Sequence, residues 1–394
     1  MTGRDVVLVA FARTPMGRLG GGLSSLGAAE LGAVAIRGAL DRAGVAPGDV
    51  DQVLMGQVVQ AGAGQNPARQ AARGAGIPWS VPAATVNKVC LSGLSAIVDA
   101  ARTIRLGEAD VVVAGGQESM SQAPHLLPGS RRGWTFGDVR AVDSLAHDGL
   151  TDAFDHESMG ASTERGNAAL GITREEQDEV AAESHRRAAL AAKDGVLAEE
   201  IVPVDVPQRR GDPVRVAADE GIRPDTTTTT LGRLAPAFAP DGTITAGNAS
   251  PLTDGAAAVV VMSREAAEAR GLAWLAQIGA SGQVAGPDTS LHSQPSAALT
   301  AALARSGWDV GDLDLVEINE AFASVLVRSL ADLGYPHERT NVHGGAIALG
   351  HPIGASGARL AGHAALELAR RGSGHAGVAL CGGGGQGEAL LLRR

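Results

Sequence analysis

The residues best suited to chemistry in this 394-residue chain are its only two cysteines and one of its ten histidines. Cys90 lies in Asn87-Lys88-Val89-Cys90-Leu91-Ser92-Gly93-Leu94, where a strand pattern gives way to a helix pattern. Cys381 opens Cys381-Gly382-Gly383-Gly384-Gly385-Gln386-Gly387, and His351 sits in Gly350-His351-Pro352-Ile353-Gly354-Ala355-Ser356-Gly357. Small neighbours let backbone and substrate approach each of them closely. A thiol at the start of a helix meets unpaired N–H groups, which favour the thiolate and lower its pKa. A loop histidine is a suitable base toward such a thiol. Consecutive glycines turn N–H groups toward one point, as an oxyanion hole requires. This is the chemistry of covalent catalysis through sulfur. The bland alternatives are a buried structural cysteine and a surface-loop histidine. Asn319, in Asn319-Glu320-Ala321-Phe322 at another strand-to-helix turn, either orients a water or substrate oxygen or simply caps a helix. The isolated cysteines lack paired ligand spacing, so no metal site is expected. A phosphate loop at 381–387 lacks the Lys-Ser/Thr that should follow it.

Such residues need rigid elements to hold them, and the hydrophobic pattern supplies α/β layers. Strands are expected over 5–10, 50–55, 84–89 and 110–116, and helices over 24–43 and 91–106. From 117 to about 248 the chain is richer in Pro, Arg and Thr, with one clear helix over 174–194 and a loop or extended edge at 226–230. This segment reads as an insertion covering the first domain. The buried-strand pattern returns at 256–262. The last third repeats the opening: strands over 273–280 and 313–318, helices over 294–306, 321–333 and 355–370, and a strand pair over 377–380 and 388–392. The two strand-then-glycine runs, Val111–Gly116 and Val378–Gly385, suggest an internal duplication; two unrelated α/β units are the alternative.

Composition narrows the class. The chain is 44% hydrophobic and 19% charged, which is globular rather than disordered. A net charge of −10 leaves no basic footprint for nucleic acid, so an anionic ligand must be held by local groups. No apolar run reaches the ~20 residues of a membrane span. No basic segment with an apolar stretch marks a signal peptide, so a reducing cytoplasm is expected, where two cysteines are catalytic or inert rather than bridged.

In order along the chain, Asn87-Lys88-Val89-Cys90, Ser92-Gly93, Gly115-Gly116-Gln117-Glu118-Ser119-Met120, Asp148-Gly149-Leu150-Thr151-Asp152-Ala153-Phe154, Ala246-Gly247-Asn248-Ala249-Ser250, Asn319-Glu320-Ala321-Phe322-Ala323, Gly344 to Pro352 and the Cys381 cluster resemble the thiolase family, specifically its acetyl-CoA C-acetyltransferases. The resemblance implies an α/β thiolase fold, duplicated and five-layered (αβαβα), with an inserted loop domain. Its halves would be 1–118 with 249–270, and 271–394; the insertion, 119–248, would bind coenzyme A. It implies a homotetramer built as a dimer of dimers, with acyl-CoA and free CoA as partners and no tightly bound cofactor. Cys90 would carry the acyl group and His351 would take its proton. Cys381 would handle the α-proton of the second acyl-CoA. Asn319 would hold a water that forms one oxyanion hole with His351, and the N–H groups of Cys90 and Gly383 would form the other. Arg223 would approach the nucleotide phosphates and Ser250 the pantetheine amide, with His156 and His185 near the pantetheine. Phe238, Met159, Leu234 and Phe322 would line the substrate pocket.

The implied reaction is the reversible Claisen condensation of two acetyl-CoA to acetoacetyl-CoA and CoA. The chain departs from the family at Val284-Ala285-Gly286-Pro287-Asp288, where Met-Gly-x-Gly-Pro is common, and at Asp155–Gly160, longer by one or two residues than the common short form. Chain length therefore stays open, with a broad-chain 3-ketoacyl-CoA thiolase of fatty-acid breakdown as the alternative. A non-catalytic acyl-CoA or lipid carrier on the same scaffold is the alternative from another class.

Overall fold

Every residue of the strands Val6–Arg13, Val111–Glu118 and Thr253–Ser263 is buried in the computed structural model, which describes residues 4–394. Continuous burial explains why these runs are apolar rather than alternating: helices cover both faces. In the first half the hydrogen-bonded order is Ala83–Val86, Gln52–Gly56, Val111–Glu118, Thr253–Ser263, Val6–Arg13. In the second it is Leu315–Ile318, His375–Gly382, Gln386–Arg393, Ala276–Ala285. The pairings match in direction as well: Gln52–Gly56 and Leu315–Ile318 run parallel to their inner neighbours, and the later pairs are antiparallel. Thr340 bridges in parallel to Val316, the place that Ala83–Val86 takes in the first half. The duplication read from the glycine runs is thus a duplication of topology. Val7–Gln277 and Leu8–Ala276 join the two sheets edge to edge.

Three cores separate five layers. Ile36 and Leu40 of the helix Ala28–Ala43 pack on the outer face of the first sheet. Leu299 and Leu326, from helices Gln294–Ser306 and Ala323–Leu333, cover the outer face of the second. Helices Ser92–Leu106 and Ser356–Arg371 lie between the sheets, with Ile97, Ala101, Leu360 and Ala364 in one core. Each buried Leu or Ile adds about 1.5–3 kcal/mol. The middle helices nearly touch at their N-termini: a Cβ on Gly357 would lie 2.5 Å from the backbone nitrogen of Leu94. Those two N-termini deliver Cys90 and His351.

Between Glu118 and Thr253 the chain leaves the first sheet. It forms the short strand pairs His125–Leu126 with Val142–Asp143 and Val204–Val206 with Val214–Val216, and the helices Met159–Leu170 and Arg174–Lys193. A capping box of Thr173 and Glu176 starts the second helix. The fully buried Arg13 anchors this excursion through Glu200 and Asp219, at 2.6 Å each. Thr226–Thr230 is not an extended edge: Thr227 caps a short helix, Thr228–Leu231. The helices Pro67–Gly74 and Met159–Leu170 are not evident from periodicity.

Candidate active site

Cys90 stands on a turn that its neighbours hold under strain. Val89 has φ +51°, an unfavourable region for a β-branched residue. The Asn87 side chain accepts the Val89 N–H at 3.1 Å, and the Ser92 hydroxyl accepts the Lys88 N–H at 2.8 Å while donating to the Val89 carbonyl at 2.6 Å. The motif around Cys90 is therefore the set of polar groups that fixes this turn. The helix Ser92–Leu106 begins two residues later.

His351 follows Gly350, whose φ of +115° favours glycine. The His351 N–H donates to the Thr253 hydroxyl at 3.1 Å. Its Nδ1 lies 2.5 Å from Ser356 Oγ, and that hydroxyl donates to the Pro352 carbonyl at 3.0 Å. Ser356 Oγ therefore accepts from Nδ1–H, and Nε2 keeps its lone pair. Asn319 Nδ2 approaches Nε2 at 3.3 Å, while Asn319 Oδ1 is buried with no partner among the described residues. Asn319 does not cap the following helix, Ala323–Leu333, whose N-cap is Phe322.

The loop after His351 is wedged into the first half by its backbone. A Cβ on Gly116 would lie 1.9 Å from the Gly354 carbonyl oxygen, and one on Gly56 2.6 Å from it. Glu118 completes the clamp: its carboxyl accepts the N–H groups of Val58, Val59 and Gly354 at 2.9–3.1 Å. Burial pushes the Glu118 pKa up to about 8, against those three hydrogen bonds.

Cys381 lies near the end of the strand His375–Gly382, and the hairpin turns through Gly383, Gly384 and Gly385. Gly384 and Gly385 have φ of +74° and +64°, and a Cβ on Gly385 would meet the Asp288 carbonyl oxygen at 1.8 Å. The buried Asp152 holds this turn from the insertion. Its carboxylate accepts the Gly384 N–H at 3.1 Å and the Phe154 N–H at 2.8 Å. The backbone N–H groups of Gly383 and of Cys90 itself favour the Cys90 thiolate.

Burial decides the charges. It pushes the Cys90 thiol up to about 11, outweighing those two N–H groups, with Glu118 adding to the rise. Against the lowered thiol pKa expected from the helix start, the shift is upward, with burial as its first cause. Burial, then the nearby Cys90, raises Cys381 as well. Burial, then Arg359, lowers His351 to about 3. At neutral pH the free site holds two thiols and a neutral imidazole.

One cavity of about 300 Å³ brings Cys90, His351 and Cys381 together, with Met159, Phe238, Phe322, Ser250 and Leu291 in its wall. Phe238 and Phe322 meet edge to face, their ring centroids 6.2 Å apart. Gly160 makes room for Phe238, because a Cβ there would lie 2.2 Å from its ring. Arg223 and His185 line a second hollow of about 230 Å³, which shares Ala249, Pro251 and Leu252 with the first. His156 is exposed at φ +57° and Leu234 is 39% exposed; neither lines either hollow, and Ser158 takes a place in the first wall instead. Val284–Asp288 is likewise absent from that wall, which Leu291 completes. Sequence reasoning missed the clamp by Glu118 and the tether by Asp152, although the quoted motifs contain both residues.

The N-terminal thiolase domain family matches residues 6–265, and the C-terminal thiolase domain family matches residues 272–394. A probable acetyl-CoA acetyltransferase of Mycolicibacterium smegmatis is 60% identical over 388 residues, covering 98% of this chain and 100% of that protein. A probable acetyl-CoA acetyltransferase of Mycobacterium tuberculosis is 59% identical, covering 98% of each. An acetyl-CoA acetyltransferase of Chromobacterium violaceum is 50% identical over 99% of this chain and 100% of its own length. With matches over both halves and this identity, the chain belongs to the thiolase family.

Proposed function

We propose that this enzyme is an acetyl-CoA C-acetyltransferase that condenses two acetyl-CoA to acetoacetyl-CoA and CoA, and runs the thiolysis in reverse. The single observation that carries this reading is the convergence of Cys90, His351 and Cys381 on one cavity. The names of relatives at 50–60% identity agree with it.

In the first half-reaction Cys90 Sγ attacks the thioester carbon as His351 Nε2 takes its proton. The tetrahedral oxyanion collapses, the C–S bond to CoA breaks, and His351 returns the proton to the departing thiolate. Acetyl-Cys90 remains. In the second, His351 Nε2 takes the proton of the Cys381 thiol, the Cys381 thiolate removes an α-proton from a new acetyl-CoA, and the carbanion attacks the acetyl carbon. The bond to Cys90 breaks, the proton taken by Cys381 neutralises that thiolate, and His351 returns its proton to Cys381. Asn319, through a water, and His351 serve the oxyanion of one acyl group; the Cys90 and Gly383 N–H groups serve the other.

CoA thioesters are substrates here, and no resident cofactor enters these steps. The segment 119–248 acts as the CoA-binding insertion, carried by a first half of 1–118 with 249–270 and completed by a second half of 271–394. Ser250 faces the pantetheine arm and Arg223 the phosphates. Reduced thiols are required in both half-reactions, which suits the cytoplasm. A homotetramer, a dimer of dimers, is supported by the apolar side chains of the segment Leu127–Val139, where Trp134 is 50% and Phe136 102% exposed. Light scattering is expected to return four chains, and Phe136→Asp to reduce that number; a wild-type monomer rules the assembly out.

Substrate length follows from the apolar wall of Met159, Phe238, Phe322 and Leu291. Thiolysis with free CoA is expected to be fastest on acetoacetyl-CoA and at least ~10-fold slower, as kcat/KM, on C8–C16 3-ketoacyl-CoA, as when a pocket lacks room for added methylenes. A preference for the long substrates overturns the acetyl assignment.

A further inference from the structure

We infer that Arg18 joins Arg223 and His185 in an anion subsite that receives a phosphate of the nucleotide end of CoA. This deepens the proposed function and rests on it for the identity of the ligand.

Arg18 belongs to the two-residue strand Gly17–Arg18 and pairs with Thr253, the residue whose hydroxyl receives the His351 N–H. The next residue, Leu19, donates its N–H to the Leu252 carbonyl at 3.1 Å. The backbone of Arg18 is therefore registered to the strand that leads into the catalytic cavity. From the insertion, Glu220 grips the same turn: its carboxylate accepts the N–H groups of Arg18 and Gly22 at 2.8 Å each. Arg223 follows three residues later, so one carboxylate draws the two arginines together while spending its oxygens on backbone.

Neither guanidinium is neutralised. Among the described residues, Arg18 and Arg223 have no side-chain hydrogen bond or ion pair, whereas nearby Arg13 holds two carboxylates at 2.6 Å. Both arginines and His185 line the hollow of about 230 Å³. His185 is 2% exposed and accepts the Arg223 N–H on Nδ1 at 3.1 Å. Burial, with Arg223 and Arg18 alongside, lowers its pKa to about 4, so the ring is neutral at pH 7 and its proton sits on Nε2. The hollow thus offers two cations and a neutral N–H donor in a chain of net charge −10. Arg18 and Arg223 are both exposed at this hollow, so their charge is open to an anionic ligand. Ala249, Pro251 and Leu252, shared with the catalytic cavity, connect the subsite to the acyl end.

The test is calorimetric binding of CoA, 3′-dephospho-CoA and pantetheine to the full chain and to Arg18→Gln, with thiolysis of acetoacetyl-CoA followed in parallel. For CoA the variant is expected to bind about 5-fold more weakly, with KM raised to match and kcat unchanged, and with the difference shrinking at high salt. Arg18→Lys is expected to recover part of the loss. For pantetheine the two proteins should not differ. A penalty that vanishes with 3′-dephospho-CoA assigns Arg18 to the 3′-phosphate; one that persists assigns it to the diphosphate. An equal penalty for pantetheine shows a structural role and overturns the inference, as does no penalty for CoA. If wild type shows the Arg18-dependent affinity but no thiolysis, the proposed reaction fails and the subsite stands. Thiolysis without Arg18 dependence removes the subsite and leaves the reaction standing.

Discussion

Cys90→Ala leaves a folded chain that takes up no acetyl group and loses thiolysis by about 10⁴-fold or more, as when a covalent nucleophile is removed from an otherwise intact site. Alanine removes only the thiol, and the turn beneath it is held by Asn87 and Ser92, so the substitution costs little stability. Intact mass after incubation with acetyl-CoA reads the result directly: wild type gains one acetyl group and the variant none. Acetyl uptake by the variant would move the nucleophile elsewhere. The same thiol should show its burial in the free enzyme. With a pKa raised to about 11, it is protonated at pH 7, and alkylation by iodoacetamide should climb with each step of pH through about 8–10. A labelling rate already level below about pH 7 would mean that the helix start wins over desolvation after all. The catalytic consequence is that thiolate and imidazolium are not stored at rest. They form as the thioester carbonyl is attacked and its oxygen takes up charge before waiting N–H groups.

Much of this is legible in the sequence because the chemistry sits where the chain must be small. Gly56 and Gly116 admit the Gly354 carbonyl, and Gly385 admits that of Asp288, so the glycine runs report backbone-to-backbone contact. The buried strands are legible from their uninterrupted Val and Ala, and duplication from the recurrence of strand followed by glycine. The rest depends on distance in the fold. Whether Cys90 is ionised turns on the sum of burial, two N–H groups and Glu118, and the helix-start rule contains only one of these influences. Glu118 binds amides 59 to 236 residues away, and Asp152 one 232 residues away, so local spacing gives no hint of either clamp. In the insertion, where periodicity is weak, the family pattern puts His156 at the pantetheine, although its backbone turns it to the outside. Leu291 escapes notice because a lone leucine between Ser290 and His292 has no periodic neighbours.

Cys381→Ala should separate the two half-reactions. The variant is expected to be acetylated on Cys90 at a rate within ~10-fold of wild type, because Cys381 takes no proton in that step. It should then stall: condensation and exchange of the acetyl-CoA methyl protons with deuterated water should each fall by ~10²–10⁴-fold, the usual worth of a positioned acid/base. Rapid mixing would show one equivalent of CoA released and no turnover beyond it. Burial, then the neighbouring Cys90, raises Cys381, so it too is a thiol at rest and becomes a base only once its own proton has been taken. Equal loss of acetylation and exchange in Cys381→Ala would mean that the two sulfurs act as one unit, and the division of labour between them would have to be abandoned.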